Sequence, residues 1–325
     1  MLARLKLLVF LLPILIYFSG CGFSGNESDF GSSSSSSTST TGDGGDTSGD
    51  GDDTTGDITK ATAIDSWGSA GTGSGQYMGY GSIIANSGYI YISSRDQSGI
   101  SKFDTSGNII AHNSTYRIRQ ISFHPSDTSK IYGYAYFAGK VKVFDLSLNE
   151  ISSDNSSISS GDHGLTVDTN GNVYVSGYHN DYKVSKYSDN GTLGLSLVTS
   201  WGSLGESSGQ FSNPQYVHIY NSLLYVADNA LNSLNGNKVV VYDLNGNFQK
   251  TISMSTYGTN MVSDICFNDS KLYVVAHYKI VKINISDNSV YQETTLNDES
   301  GSRIYNYYAH CAIMSNYLYY LWDGS

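Results

Sequence analysis

A few residues in this 325-residue chain are of types that do acid-base or metal chemistry: seven histidines, three cysteines and a thin scatter of acids. Asp264, His310, His163 and Arg119 form the group that could hold a cation or polarise a substrate, since carboxylate and imidazole are the ordinary metal ligands and proton carriers. Asp264 is the lone carboxylate among them, which is thin for calcium and unconvincing for zinc. No two histidines stand at the close spacing that presents both to one ion, and no G-x-S-x-G segment precedes a helix. His218 sits inside an apolar run and reads as a packed residue. Gly-rich GTGSG at 71–75 lacks the Lys-Ser/Thr end of a phosphate loop and reads as a connection. Nor is the chain basic. Its net charge is −11, so nucleic acid is not an expected partner.

That charge is unevenly placed. Residues 1–21 carry Arg4 and Lys6 without an acid, 22–59 carry eight acids without a base, and 60–325 hold the remaining −5. Met1–Lys6 is positive, Leu7–Phe18 is an apolar run of 12 residues, and Phe18-Ser19-Gly20 leads to Cys21. This is the pattern of a secretory leader too short to span a bilayer comfortably. It resembles a bacterial lipoprotein signal, with Phe18 where Leu is usual. The resemblance implies cleavage after residue 20, lipid on Cys21, and an extracytoplasmic protein of the cell envelope touching the membrane through its anchor only. Residues 21–59 are Ser-, Gly- and Asp-rich, cannot bury enough apolar surface to order themselves, and are expected to be a disordered tether.

Residues 60–325 are repetitive, and few Ala-Leu-Glu-Lys runs among so many Tyr, Thr and Ser exclude a mainly helical domain. WGSAGTGSGQY from Trp67 returns as WGSLGESSGQF from Trp201, 134 residues later. A finer repeat places a tyrosine at 91, 132, 174, 225, 273 and 319, at spacings of 41, 42, 51, 48 and 46 residues. After the first five comes a second strand-like run ending at Phe103, Phe144, Tyr187, Tyr242 or Ile283. A turn then starts at Asp104, Asp145, Ser188, Asp243 or Asn284. Asp, Asn and Gly there suit hairpin turns, and with no acid at the twelfth position they are not calcium loops. Four short strands every 40–50 residues predict an all-β propeller, and six tyrosines predict six four-stranded blades. WGSxGxxxGQ(F/Y), Pro214, LLYVAD (223–228) and KVVVYDLNGNF (238–248) resemble the NHL repeat, most strongly in the fourth blade.

Closure is expected to use Ala61–Trp67 as the outer strand of the sixth blade and Ala309–Trp322 as its first two strands. The chain stops at Ser325, before a third strand, so that blade is short by one strand or the sequence is incomplete, and a short blade leaves an open edge.

Aligned on the tyrosines, the inner strands present two columns at one mouth of the central channel. They are Ser82, Gln120, Gly164, Tyr216, Asp264 and His310, and before them Gly81, Arg119, His163, Gln215, Ser263 and Ala309. Arg119, Gln120, His163, Gln215, Tyr216, Asp264 and His310 are the candidate binding residues, with a water-filled polar rim as the expected setting. The function expected is a non-catalytic module for a protein or glycan ligand, needing no cofactor. The alternative is a lactonase-like hydrolase or a lyase that uses His163, Asp264 and His310 with calcium or zinc at the mouth. Cys266 and Cys311 lie in neighbouring inner strands and can form a disulfide if the strand parity turns them together. Tyr77, Tyr80, Tyr134, Tyr136, Phe137, Tyr178, Tyr182, Tyr305, Tyr307 and Tyr308 are aromatics beyond what two stripes need, candidates for a binding face or for packing between blades.

Overall fold

A computed structural model describes residues 4–11, 60–62, 65–70, 73–77, 81–95, 99–153, 162–177, 182–189, 195–229, 237–255, 261–276, 279–297, 302, 309–315 and 317–324. Cys21, the tether, Tyr80, Tyr178, Tyr305, Tyr307 and Tyr308 lie outside them, as does the side chain of His163.

The chain opens with β1 (Arg4–Leu11), β2 (Lys60–Thr62), β3 (Asp65–Trp67) and the short parallel pair β4 (Ser69–Ala70) and β5 (Gln76–Tyr77). Five blades follow, each of four consecutive antiparallel strands. The first is β6 (Ile83–Asn86), β7 (Tyr89–Ser94), β8 (Gly99–Asp104) and β9 (Ile109–Asn113). The second is β10 (Ile118–Phe123), β11 (Lys130–Ala135), β12 (Lys140–Asp145) and β13 (Glu150–Ser153). The third is β14 (Asp162–Val167), β15 (Val173–Gly177), β16 (Lys183–Asp189) and β17 (Leu195–Trp201). The fourth is β18 (Pro214–Tyr220), β19 (Leu223–Asp228), β20 (Lys238–Asp243) and β21 (Phe248–Ser253). The fifth is β22 (Asp264–Asn268), β23 (Lys271–Ala276), β24 (Lys279–Asn284) and β25 (Val290–Asn297), with β2 added in parallel along β25.

The structure therefore shows five blades of the expected build, not six. The carboxy-terminal strands β26 (Ala309–Met314) and β27 (Tyr317–Gly324) form a hairpin. Its sheet is completed by β1 and β3, in the order β26-β27-β1-β3. Of Ala61–Trp67, only Asp65–Trp67 takes the outer place expected here, while Lys60–Thr62 joins the fifth blade. The third place in this sheet belongs to Arg4–Leu11, inside the segment read as a leader. Eight mostly apolar residues between two partners satisfy the same pairing that the other blades fill from their own third strands.

The repeated tyrosines mark the second strands. Tyr91, Tyr132, Tyr174, Tyr225 and Tyr273 lie in β7, β11, β15, β19 and β23, and lysines ride on three of them, Lys102 over Tyr91, Lys186 over Tyr174 and Lys282 over Tyr273. Lys102 and Lys186 also donate to Leu146 O and Leu244 O in the turns of the following blade, tying blades together by their outer corners. A bulge recurs between the third and fourth strands just before Phe103, Phe144, Tyr187, Tyr242 and Ile283, and sharpens the twist there.

The turns are self-contained. Asp104, Asp145, Asp168 and Asp243 each accept from the backbone N–H groups two and four residues on and from the Asn side chain four residues on. These bonds hold the Asp104 and Asp243 carboxyls below the usual range. The two tryptophan segments cover such turns: a Cβ at Gly107 would sit 2.5 Å from the Trp67 ring and one at Gly246, at φ +88°, 2.7 Å from Trp201. Glycine is required there because the indole lies directly on the turn.

Candidate functional site

The inner strands carry the mouth column where the repeat predicts it. Ser82 and Gly81 immediately precede β6. The rest stand at matching positions, as Gln120 on β10, Gly164 on β14, Tyr216 on β18, Asp264 on β22 and His310 on β26. Ser82, Arg119, Gln120, Gln215, Tyr216, Asp264 and His310 are all buried.

Inner strands of adjacent blades do not pair as sheet, so their exposed N–H groups need partners from side chains. The column supplies them. Ser82 Oγ accepts from Ile121 N at 2.9 Å, Gln120 Oε1 from Leu165 N at 2.7 Å, and Asp264 Oδ2 from Cys311 N at 3.4 Å. In each case the donor is the residue after the column position of the next inner strand. Two serines missed at the sequence level support the same ladder: Ser93 Oγ donates to Arg119 O at 3.2 Å, and Ser176 Oγ to Gln215 O at 3.0 Å. Both sit two residues after a repeat tyrosine, a signal that the sequence does contain.

Within the ladder, Asp264 gathers further donors. Oδ1 takes His218 Nε2 at 2.9 Å and Ile265 N at 2.8 Å, and Oδ2 takes His310 Nδ1 at 3.3 Å. His310 Nε2 lies 3.3 Å from the Tyr216 hydroxyl, with the two rings edge to face at 4.6 Å. Tyr216 in turn lies within electrostatic reach of Arg119, whose strand lies two blades away. A polar chain from Arg119 through Tyr216 and His310 to Asp264 thus reaches across the mouth. Gly164 makes room for the Ser176–Gln215 rung, for a Cβ there would meet Ser176 Oγ at 2.6 Å and Gln215 O at 2.7 Å.

Burial on its own raises a carboxyl, but the contacts with His218 and His310 outweigh it and hold Asp264 at about 2. Burial pushes the Tyr216 hydroxyl up to about 12 against the pull of Arg119, and it lowers the Arg119 guanidinium. His218 corrects the sequence reading: it is no packed residue but the partner of Asp264, with a quarter (25%) of its side chain exposed. Its alternation with Tyr216 on one strand, two residues apart, was the available clue. Among the described residues no three His, Cys, Asp or Glu are arranged to hold a metal ion. Below the column, Cys266 and Cys311 are joined as a disulfide with Cα atoms 6.0 Å apart.

The expected aromatic face divides. Tyr134 is fully buried between blades, and Tyr77 on β5 is buried against Ile90, Phe103, Tyr319 and Leu321. Tyr182 is half-buried. Tyr136 and Phe137, in the connection from β11 to β12, build a run of rings and guanidiniums. Arg119 and Arg95 stand over the Tyr136 ring at 5.5 and 5.8 Å, Tyr136 meets Phe137 edge-on at 5.0 Å, and Arg117 covers Phe137 at 4.6 Å. Phe137 is 63% exposed. Beside it lies a cavity of about 260 Å³ lined by Thr115, Tyr116, Arg117, Ala135, Phe137 and Ala138. The run therefore leads from the buried mouth to the surface.

The likeness to known proteins is one of fold. No family model and no curated protein matches the chain. A solved streptogramin B lyase shares 14% identity at a TM-score of 0.54, covering 75% of this chain and 76% of that one. A catalytically inactive variant of virginiamycin B lyase from Staphylococcus aureus, solved with quinupristin, shares 14% at 0.51, covering 74% and 76%. A nidogen/laminin complex shares 10% at 0.50, covering 70% and 82%. One propeller architecture thus carries a lyase in one case and a complex between proteins in another.

Proposed function

We propose that the chain is a lipid-anchored, extracytoplasmic propeller of the bacterial envelope that binds a protein or glycan ligand without catalysis, with strands β26, β27 and β3 standing as a sixth blade. The observation that carries this reading is the run Arg119–Tyr136–Phe137–Arg117, in which the largely exposed Phe137 ring is held between the Arg117 guanidinium and the Tyr136 ring beside a 260 Å³ cavity. Rigid aromatic and Arg groups supply contact area at little entropic cost, the usual make of a binding hot spot. The acid that catalysis would need is meanwhile engaged by four donors in a ladder shared with Ser82 and Gln120. Anchoring rests on the Met1–Cys21 pattern. The test is a glycan array together with cross-linking on intact cells, comparing the natural chain with an Arg117→Ala, Phe137→Ala double variant. Loss of a retained ligand at unchanged thermal stability supports the site, and equal retention by both refutes it.

A second reading is favoured by the Asp264–His218 pair. A carboxylate that fixes one ring nitrogen of a partly exposed imidazole is a common general-base arrangement. The lyase-like alternative of His163, Asp264 and His310 then gains His218 as a base beside Asp264. Cleavage of quinupristin by the natural chain, lost in His218→Ala, would install it in place of the binding reading.

A further inference from the structure

Three of the chain's five arginines meet at one place. Arg95 and Arg119 stand over the Tyr136 ring at 5.8 and 5.5 Å, and Arg117 stands over Phe137 at 4.6 Å. On a chain of net charge −11 this is a local excess of the opposite sign. Arg119 is buried, its Nε meets no acceptor, and no acid among the described residues pairs with it. Burial and the neighbouring Arg95 charge both work against its charged form. A buried cation without a counter-ion is costly, and an anion brought to it offsets that cost. Glu150, which reaches the cavity wall through Tyr116, does not fill the place. Its Oε1 takes Lys142 Nζ at 3.0 Å and its Oε2 takes the Tyr116 hydroxyl at 2.7 Å.

We infer that the ligand of this site is an acidic glycan, taken up by a sugar residue that bears a carboxylate or sulfate group. This rests on the binding reading above and names the chemistry of its ligand. Arg117 is exposed, and a guanidinium fork matches a planar or tetrahedral oxyanion in a two-pronged way that a lysine cannot. Beside it the Phe137 ring is a flat apolar surface for the C–H face of a pyranose, and Thr115 adds a hydroxyl to the same wall. The cavity of about 260 Å³ lies below the usual range of about 300–1,000 Å³ for drug-sized ligands. It suits one sugar residue with the rest of the glycan in solvent. Arg119 and Arg95, behind Tyr136, add positive potential from a depth where salt screens little. An acidic peptide fits less well, because an extended peptide is recognised through free backbone groups at a sheet edge. Here Tyr136 N donates to Arg117 O at 3.1 Å and Ala138 N to Ala135 O at 3.1 Å, and both β11 and β12 are paired on either side. Selection is left to rings and guanidiniums, which sort ligands by flat surface and by charge.

Calorimetric titration of the purified full chain tests this with five probes: galacturonate and hyaluronate oligosaccharides, dextran sulfate, neutral dextran and polyglutamate. The expected result is that an acidic glycan binds about tenfold or more tighter than dextran and polyglutamate, and less tightly as salt rises. Arg117→Ala should weaken that binding about tenfold or more at unchanged thermal stability, and Arg117→Lys should restore only part of it. Whether the uronate or the sulfate arm is the stronger assigns the anionic group. Dextran bound as tightly as the acidic glycans, and lost in the Arg117→Ala, Phe137→Ala double variant, overturns the anion while leaving the binding reading standing. Polyglutamate bound as tightly does the same and assigns the site to peptides. Acidic glycans that bind the double variant as well as the natural chain overturn both the inference and the binding site. No binding of any acidic glycan overturns the inference alone, since cross-linking on intact cells reads the binding site without reference to charge.

Discussion

Replacing Asp264 by asparagine tests whether the mouth cluster is a structural rung. The carboxylate accepts from His218, His310, Ile265 N and Cys311 N, all at 2.8 to 3.4 Å and all buried except part of His218. An amide of the same shape keeps one acceptor oxygen and turns an NH₂ group towards two of those donors. Two charge-assisted bonds are lost and buried donors are left unpaired, which costs about 3 to 5 kcal/mol. The pH dependence gives a second, independent magnitude. Asp264 is held at about 2 in the folded chain against an ordinary 3.8, a difference of about 2 kcal/mol. Because the folded value is the lower one, this stability is present above about pH 4 and is lost as the pH falls through 2. Urea unfolding of the natural and Asp264→Asn chains between pH 7 and pH 2 reads both. The variant should have a lower midpoint at neutral pH and an acid limb shallower by about 2 kcal/mol. An Asn variant within about 1 kcal/mol of the natural chain at pH 7, with the same acid limb, would refute the rung.

Asp228 should behave in the opposite sense: burial, opposed by Ser212 N, Asn213 N and Lys238, raises it to about 6. Its contribution is therefore full below pH 4 and lost as pH rises through 6, so the stability of the natural chain relative to Asp228→Asn should fall by about 3 kcal/mol from pH 4 to pH 7. Gly246→Ala, which drives a Cβ into the Trp201 ring at φ +88°, should cost about 2 kcal/mol or more. Gly88→Ala, at φ +81° but with no atom within 4 Å, should cost only the backbone strain, and thermal unfolding of the pair separates the two effects. Reducing the Cys266–Cys311 bond releases a closed loop with a sequence separation of 45, worth about 4 kcal/mol in the chain-entropy account and readable as a lower urea midpoint with reductant.

The tyrosine spacing was enough to place the second strands, and through them the inner strands and the mouth column, because one residue per period fixes register in a strand of period two. Turn chemistry was legible for the same local reason, since each Asp and its Asn lie within five residues. The sequence does not disclose which column members meet. Tyr216 reaches His310 from two blades away, and His218 finds Asp264 on the next blade, separations of 94 and 46 residues that no local pattern encodes. Composition left Tyr77 and Tyr134 open between a binding face and packing between blades, and the structure buries both. The third strand of the last sheet was illegible altogether, as it comes from the far end of the chain, where the apolar run carried a different meaning.

An aspartate between two histidines beside a tyrosine and an arginine looks like catalytic equipment, and the ladder supplies a structural reason for the same cluster. Ser82, Gln120 and Asp264 answer the same demand, an acceptor for the N–H that follows the next blade's column residue. A serine or a glutamine meets it as a neutral group. When the rung is an aspartate, a buried charge comes with it, and that charge needs donors of its own. His218 and His310 are those donors, Tyr216 continues the chain from His310, and Arg119 adds its charge beside Tyr216. Each member is thus called for by the previous one, starting from a backbone N–H. On this logic chemistry at the mouth has one place to begin, the exposed quarter of His218. A Ser or Gln in place of Asp264 would remove the need for the histidines while preserving the rung.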